Sequence, residues 1–308
     1  MPDKPASEIS IGPALIRELL ADQAGATIPG ATVLPLRKVA EGWDSEVWRL
    51  GDDYAVRLPR RAIAAPLVLH EQLVLPEIAR RLEPTGVGVP NPVVAGAPAA
   101  GYPWRWSVVR WIQGERAMDA PVADRGEWAT TLADVLGALH AEAPEDHPVN
   151  PFRGAPLATR ADAVAVRLAA LRDSGALDAS DATALGDVWH AGLTVAAWSR
   201  PPLWIHGDLH PGNLVTRDGR LAGIIDFGDV TAGDPAYDLA VAWLAFDADG
   251  RGRFIVATGS RYDAATWRRA HAWAAAVVMM LLVHNDDNPA YVALGRDAAA
   301  EVIADASG

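Results

Sequence analysis

The 308-residue chain contains no cysteine. That absence removes disulfides, thiolate zinc sites and cysteine nucleophiles together, and it is compatible with the reducing, cytoplasmic location we expect. Bases are few beside acids, 27 Lys and Arg against 39 Asp and Glu, for a formal charge of −12. No Lys/Arg cluster offsets this, so binding along a nucleic-acid backbone, which needs one, is not expected. An acidic, solvated face is the plain reading, and a cationic ligand is favoured only where acids converge. Long apolar runs are missing too. The most apolar, residues 272–283, has 12 residues, short of the ~20 that cross a bilayer. Residues 1–5 carry no basic segment leading into an apolar core. Neither a membrane partner nor a secretory leader is expected, and internal repeats and low-complexity tracts are absent. What the chain does have is apolar content, 50% hydrophobic residues and 12 tryptophans. That excludes a disordered chain, and at ~100–200 residues per domain the length fills two lobes.

An amphipathic stretch at 13–24 predicts an entry helix. Three short β-type segments follow at 32–39, 46–50 and 54–58, separated by Gly42-Trp43-Asp44 and Gly51-Asp52-Asp53, a pattern of antiparallel hairpins. A helix is predicted over 67–82 with Pro76 inside it, which should kink or break it. Prolines and glycines at 84–92 return the chain to an extended form, and 104–112 (WRWSVVRWI) reads as another strand. Beyond Gln113-Gly114 the period turns helical, at 128–142, 161–172, 181–198 and from Tyr237 onward. A β-rich island at 203–227 interrupts these helices. The expectation is an α+β protein of two lobes, sheet-rich over 1–112 and mainly helical over 113–308.

The island carries the chemistry: LWIHGDLHPGNLVTRDGRLAGIIDFGDVTAGDPAYDL over 203–239. Two strands joined by the Arg217–Arg220 turn present Asp208, Asn213 and Asp226 at their ends. Two carboxylates and an amide oxygen form a hard oxygen set suited to Mg²⁺, with one acid able to remain as a base. His206 and His210 have the i, i+4 spacing of a helical metal pair, but Gly207, Pro211 and Gly212 forbid a helix there, which removes a zinc reading. Singly, each Asp or Asn beside Gly is an ordinary turn residue. The ordered combination, H-G-D-x-x-x-x-N, then strand–turn–strand, then I-D-F-G, is not.

This stretch resembles the catalytic block of the aminoglycoside phosphotransferase family, relatives of the protein kinases, whose catalytic loop reads H-x-D-x-x-x-x-N and whose metal motif is D-F-G or a variant. The likeness continues through Gly233-Asp234-Pro235-Ala236-Tyr237-Asp238-Leu239. It implies a bilobal kinase-like fold, with a nucleotide-binding lobe and hinge strand over 1–112, and a helical lobe with catalytic loop and acceptor site over 113–308. Asp208 is then the catalytic base, Asn213 and Asp226 hold Mg²⁺, and His206 braces the loop, with His210 facing either the site or solvent. In the first lobe the Gly42–Ser45 hairpin covers the phosphates with backbone amides and the Ser45 hydroxyl, although the protein-kinase G-x-G-x-x-G is missing. Arg57 stands where protein kinases carry lysine, paired with Glu71, or with Glu77 as the competitor. Arg60 and Arg61 are expected to be solvated or beside phosphate. Backbone groups from Val109 to Trp111 meet the purine of ATP or GTP. The acceptor implied is a small-molecule hydroxyl, foremost an aminoglycoside held by acids drawn from Asp234, Asp238, Asp247, Asp249, Asp286 and Asp287. A macrolide or small alcohol of the homoserine or choline kind is the alternative. A catalytically silent binding module should have lost one of Asp208, Asn213 or Asp226, and all three are present. The oligomeric state is not legible from the sequence.

Overall fold

The computed structural model describes residues 5–284 and 288–306. It divides into two compact units, one built from residues up to 113 together with 223–228, the other from 114–222 and from 229 onward.

The N-terminal unit begins with α1 (Pro13–Gln23), where Pro13 occupies the first turn, a position whose N–H has no helical partner anyway. Five strands follow, β1 (Leu36–Glu41), β2 (Ser45–Leu50), β3 (Tyr54–Pro59), β4 (Pro92–Gly96) and β5 (Trp106–Arg110), in the sheet order β1-β2-β3-β5-β4 with every pair antiparallel. The first strand starts at Leu36 rather than at 32 because residues 28–34 close on themselves, Ala31 N–H on the Ile28 carbonyl and Leu34 N–H on that of Gly30. Ile16, Leu19, Leu20, Leu50, Leu58, Trp106 and Val108 form the core between α1 and the sheet.

α2 (Ala65–Leu82) runs as one helix through Pro76, correcting the expected break. The bond lost at Pro76 is offset by a buried face of Val68, Glu71, Val74, Leu75, Ile78 and Leu82. Gln72 adds an anchor, its amide nitrogen donating to the Trp106 carbonyl at 2.7 Å. Unbroken, the stretch Ala62–Thr85 is long and apolar enough to cross a bilayer by length and composition, which the sequence reading did not anticipate. Its Glu71 and Gln72 bind groups of the sheet, which makes it a helix of a protein core.

The second unit is mainly helical: α3 (Val122–Arg125), α4 (Ala129–Leu139), α5 (Ala161–Ser174), α6 (Ala179–Leu193), α7 (Ala236–Leu239), α8 (Val241–Ala245), α9 (Ala248–Thr258), α10 (Ala264–His284) and α11 (Pro289–Ala306). α10 holds the most apolar run of the chain and buries it against α5, α6, α7, α8 and α11. Short strands position the island: β6 (Glu115–Arg116) pairs with β8 (Leu214–Arg217), which neighbours β9 (Arg220–Ile224). β7 (Leu203–Ile205) pairs antiparallel with β10 (Thr231–Gly233). The end of β9 belongs to the N-terminal unit, where the Ile224 N–H donates to the Gly88 carbonyl. Antiparallel sheet in one unit and helices in the other make this an α+β fold.

Candidate active site

β7 delivers the chain into His206-Gly207-Asp208. Gly207 has φ +84°, and a Cβ there would run into the Asp229 carbonyl, so only glycine serves. The Asp238 carboxylate, fully buried at the end of α7, fixes the turn from below. It accepts from the backbone N–H groups of His206 (2.7 Å) and Gly207 (3.0 Å) and from His140 Nε2 (3.2 Å). The Tyr262 hydroxyl donates to the other His140 nitrogen at 2.7 Å. His206 Nδ1 accepts from the Asp208 N–H at 3.1 Å, which places its proton on Nε2.

Asp208 stands at the end of this bracket, and three neighbours converge on it. Asn213 Nδ2 donates to the Asp208 carbonyl (2.8 Å) and to Oδ2 (3.3 Å), leaving the amide oxygen as the side chain's outward acceptor. His210 Nδ1 accepts from the Gly212 N–H, so Nε2–H faces Asp208 Oδ2 at 3.6 Å. Arg153, from the loop after α4, brings Nη2 within 3.6 Å of Asp208 Oδ1. It is held there by Asp229 (2.8 Å) and by the Tyr237 hydroxyl (2.6 Å). Burial alone would raise the Asp208 pKa, but the hydrogen bond and charge of His210 and the charge of Arg153 hold it well below the usual carboxylate range.

The N-terminal unit holds a second constellation. Asp226 is half-exposed and adopts φ +63°, a left-handed conformation costly for a non-glycine residue and characteristic of functional positions. Arg57, on β3, reaches Asp226 Oδ1 with Nη2 at 2.7 Å and Glu71 Oε2 with Nε at 3.3 Å. Glu77 pairs instead with Arg81. The planar guanidinium thus serves two acids at once, a geometry an ammonium point charge does not offer. Burial pushes the Glu71 carboxyl up to about 7, against the downward pull of Arg57.

Ser45 is buried at the base of the 41–45 turn, its carbonyl accepting from the Gly42 N–H. Arg60 is buried as well, donating to the Gly42 carbonyl and pairing with Glu41, while Arg61 pairs with Asp44. These two arginines brace the turn, correcting the expectation that they are solvated or beside phosphate. Val109 lies within β5, opposite Ala55 and Pro92. The Trp111 N–H is already given to the Asp53 carbonyl at 2.7 Å and its ring lies under the Arg49 guanidinium, so it has no N–H left for a purine. Ile112 is the next residue along whose backbone makes no hydrogen bond among the described residues.

Among the described residues no group of three His, Cys, Asp or Glu side chains is placed to hold a metal. The donors present, the Asn213 amide oxygen and the Asp226 carboxylate, fit the other arrangement, Mg²⁺ taken through one or two protein oxygens and completed by substrate phosphates and water.

Residues 35–273 match the family description "Phosphotransferase enzyme family" (APH). The chain belongs to this family. The phosphotransferase is similar to the homoserine kinase of Gluconacetobacter diazotrophicus, 46% identical over 61 residues that make up 17% of this chain and 19% of that protein. It is also similar to the homoserine kinase of Methylocella silvestris, 26% identical over 252 residues, 74% of this chain and 69% of that one. It therefore spans about a fifth of the first relative's length and about two-thirds of the second's. Its fold is similar to that of wild-type aminoglycoside 2'-phosphotransferase-IIIa solved as a GDP complex, with TM-score 0.65, 20% identity, and coverage of 94% of this chain and 99% of that one.

The acids expected to grip an acceptor do not gather in the phosphotransferase. Asp234 is buried and bonded to Arg269 at 2.6 and 3.2 Å, with Arg269 also donating to the Ala196 carbonyl. Asp238 holds the catalytic turn, Asp247 caps α9 by accepting from the Gly250 N–H, and Asp249 is exposed. Asp286 and Asp287 lie outside the described residues. Sequence reasoning missed Arg153 and Asp229. Nothing in spacing ties an arginine in the 150–154 loop to Asp208, and Asp229 looked like one more turn residue.

Proposed function

We propose that this phosphotransferase moves the γ-phosphoryl group of ATP or GTP to a hydroxyl of a small molecule, with Mg²⁺. The observation that carries this reading is the setting of Asp208: an ionised carboxylate at the base position, with the neighbouring Asn213 turned so that its amide oxygen points away from it. Mg²⁺, when bound, bridges the phosphate oxygens and offsets the charge that develops on them, and Asn213 and Asp226 are the residues that would hold it. Asp208 accepts a hydrogen bond from the acceptor hydroxyl and orients its oxygen toward the phosphorus. A carboxylate kept so strongly ionised is a weak proton acceptor, so its main contribution is alignment, with the proton leaving as the new O–P bond completes. Arg57, steadied by Glu71, places the phosphates. The 41–45 turn with Ser45 covers them, and the backbone from Val109 to Ile112 meets the purine. In this reading residues 1–112 form the nucleotide-binding lobe and residues 113–308 the catalytic and acceptor lobe.

An aminoglycoside acceptor, the foremost expectation from family resemblance, needs acids, and the groups beside Asp208 are largely cationic. The likeness to two homoserine kinases supports a small alcohol instead. The test is nucleoside diphosphate release with Mg²⁺ in the presence of an aminoglycoside, a macrolide or small hydroxy compounds. We expect release that depends on one of these acceptors. Nucleotide binding without turnover across the whole set would mark a silent binding module.

A further inference from the structure

A chain with net charge −12 places guanidinium groups, rather than carboxylates, around its proposed base. Arg153 stands 3.6 Å from Asp208. Next to it in sequence, the Phe152 ring carries the Arg160 guanidinium 5.2 Å from its centroid. Arg160 caps the N-terminus of α5 and Arg167 follows seven residues later, two helical turns on, so both lie on one face of that helix. Only Arg153 has acidic partners. Arg160 and Arg167 have no acid within 4.0 Å among the described residues, and Arg167 Nε is buried with no hydrogen-bond partner. Burial and the charges of Arg160 and Arg153 lower the Arg167 pKa, with the Tyr237 phenol opposing them, so the three guanidiniums lie in one another's field. Desolvated, like-charged and only partly neutralised, such a group is stabilised by an anion that accepts from two forks at once. It repels a polycation.

Resting on the phosphotransfer reading above, we propose that Arg153, Arg160 and Arg167 form the acceptor's anion subsite, and that the substrate class is a small hydroxy acid whose carboxylate docks there. Arg153 is close enough to Asp208 that only a few bonds separate this carboxylate from the hydroxyl Asp208 orients. Arg160 and Arg167 are then specificity residues, acting on the acceptor and not on the nucleotide.

The experiment uses the full chain with serine, homoserine and 4-hydroxybutyrate, each beside its carboxamide, and with glycerol 3-phosphate and kanamycin. Both binding, by calorimetry, and Mg²⁺-dependent turnover are measured for the wild type, Arg160→Gln, Arg167→Gln and Arg167→Lys. At least one acid should bind and react about tenfold or more better than its amide, the size of a charge-assisted hydrogen bond. Arg167→Gln should erase most of that preference and Arg167→Lys should restore part of it, at unchanged thermal unfolding. Equal use of acid and amide overturns the subsite, as does preference for kanamycin, and a preference for glycerol 3-phosphate overturns the carboxylate assignment. Arginine-dependent acid binding without turnover would leave the subsite standing and remove the phosphotransfer reading. Turnover indifferent to acceptor charge would do the reverse.

Discussion

Asp208→Asn should lower kcat for phosphoryl transfer by about 10²–10⁴-fold, the range ascribed to a positioned acid–base group. The substitution keeps the size of the side chain and a carbonyl able to accept the Asn213 amide. It removes the negative charge that faces His210 and Arg153 and that aligns the acceptor hydroxyl. The bracket beneath is untouched, because Asp238 binds the backbone of His206 and Gly207 and not the Asp208 side chain. Stopped-flow or steady-state turnover beside circular dichroism and thermal unfolding checks this. A folded Asn variant turning over at near wild-type rate would dismiss Asp208 from catalysis.

Arg269→Met should destabilise the protein by about 3–5 kcal/mol, the cost of leaving a buried charge without its partner. Asp234 and Arg269 are both nearly inaccessible, with their shortest contact at 2.6 Å. Deleting the guanidinium strands a carboxylate whose remaining donor is the Ala236 N–H, and it frees the Ala196 carbonyl that Arg269 satisfied. Urea unfolding of the two proteins measures the difference. Had Asp234 been an acceptor ligand, as its place in the sequence suggested, the variant would instead show a changed acceptor KM at wild-type stability.

Local patterns carried much of the fold. Turn residues at 42–44 and 51–53 marked the hairpins, and the period-3.6 runs at 128–142 and 161–172 correspond to α4 and α5. Pro76 misled because helix breaking is a local tendency, overridden here by a buried face and by Gln72 on the sheet. The site divides the same way. Asp208 and Asn213 were legible because a five-residue offset in one loop is itself the geometry that lets the amide reach the Asp208 carbonyl. Arg57 and Glu71 needed the resemblance, since only tertiary structure brings β3 to α2. Arg153 was invisible, being brought to Asp208 by Asp229 and Tyr237, contacts that leave no periodic trace. The Trp111 N–H failed for a related reason: an exposed-looking hinge amide turned out to be already bonded to the Asp53 carbonyl.

The account rests on Asn213 and Asp226 serving one metal-bound nucleotide whose terminal phosphoryl group leaves for an alcohol oxygen aligned by Asp208. The most direct measurement follows γ-labelled nucleotide in the wild type and in Asp226→Asn, with Mg²⁺ and after its removal by chelator. The predicted result is label on the acceptor, lost without the divalent ion and reduced more than about 100-fold in the folded Asn variant. Label transfer that persists undiminished in that variant, or without any divalent ion, would contradict it.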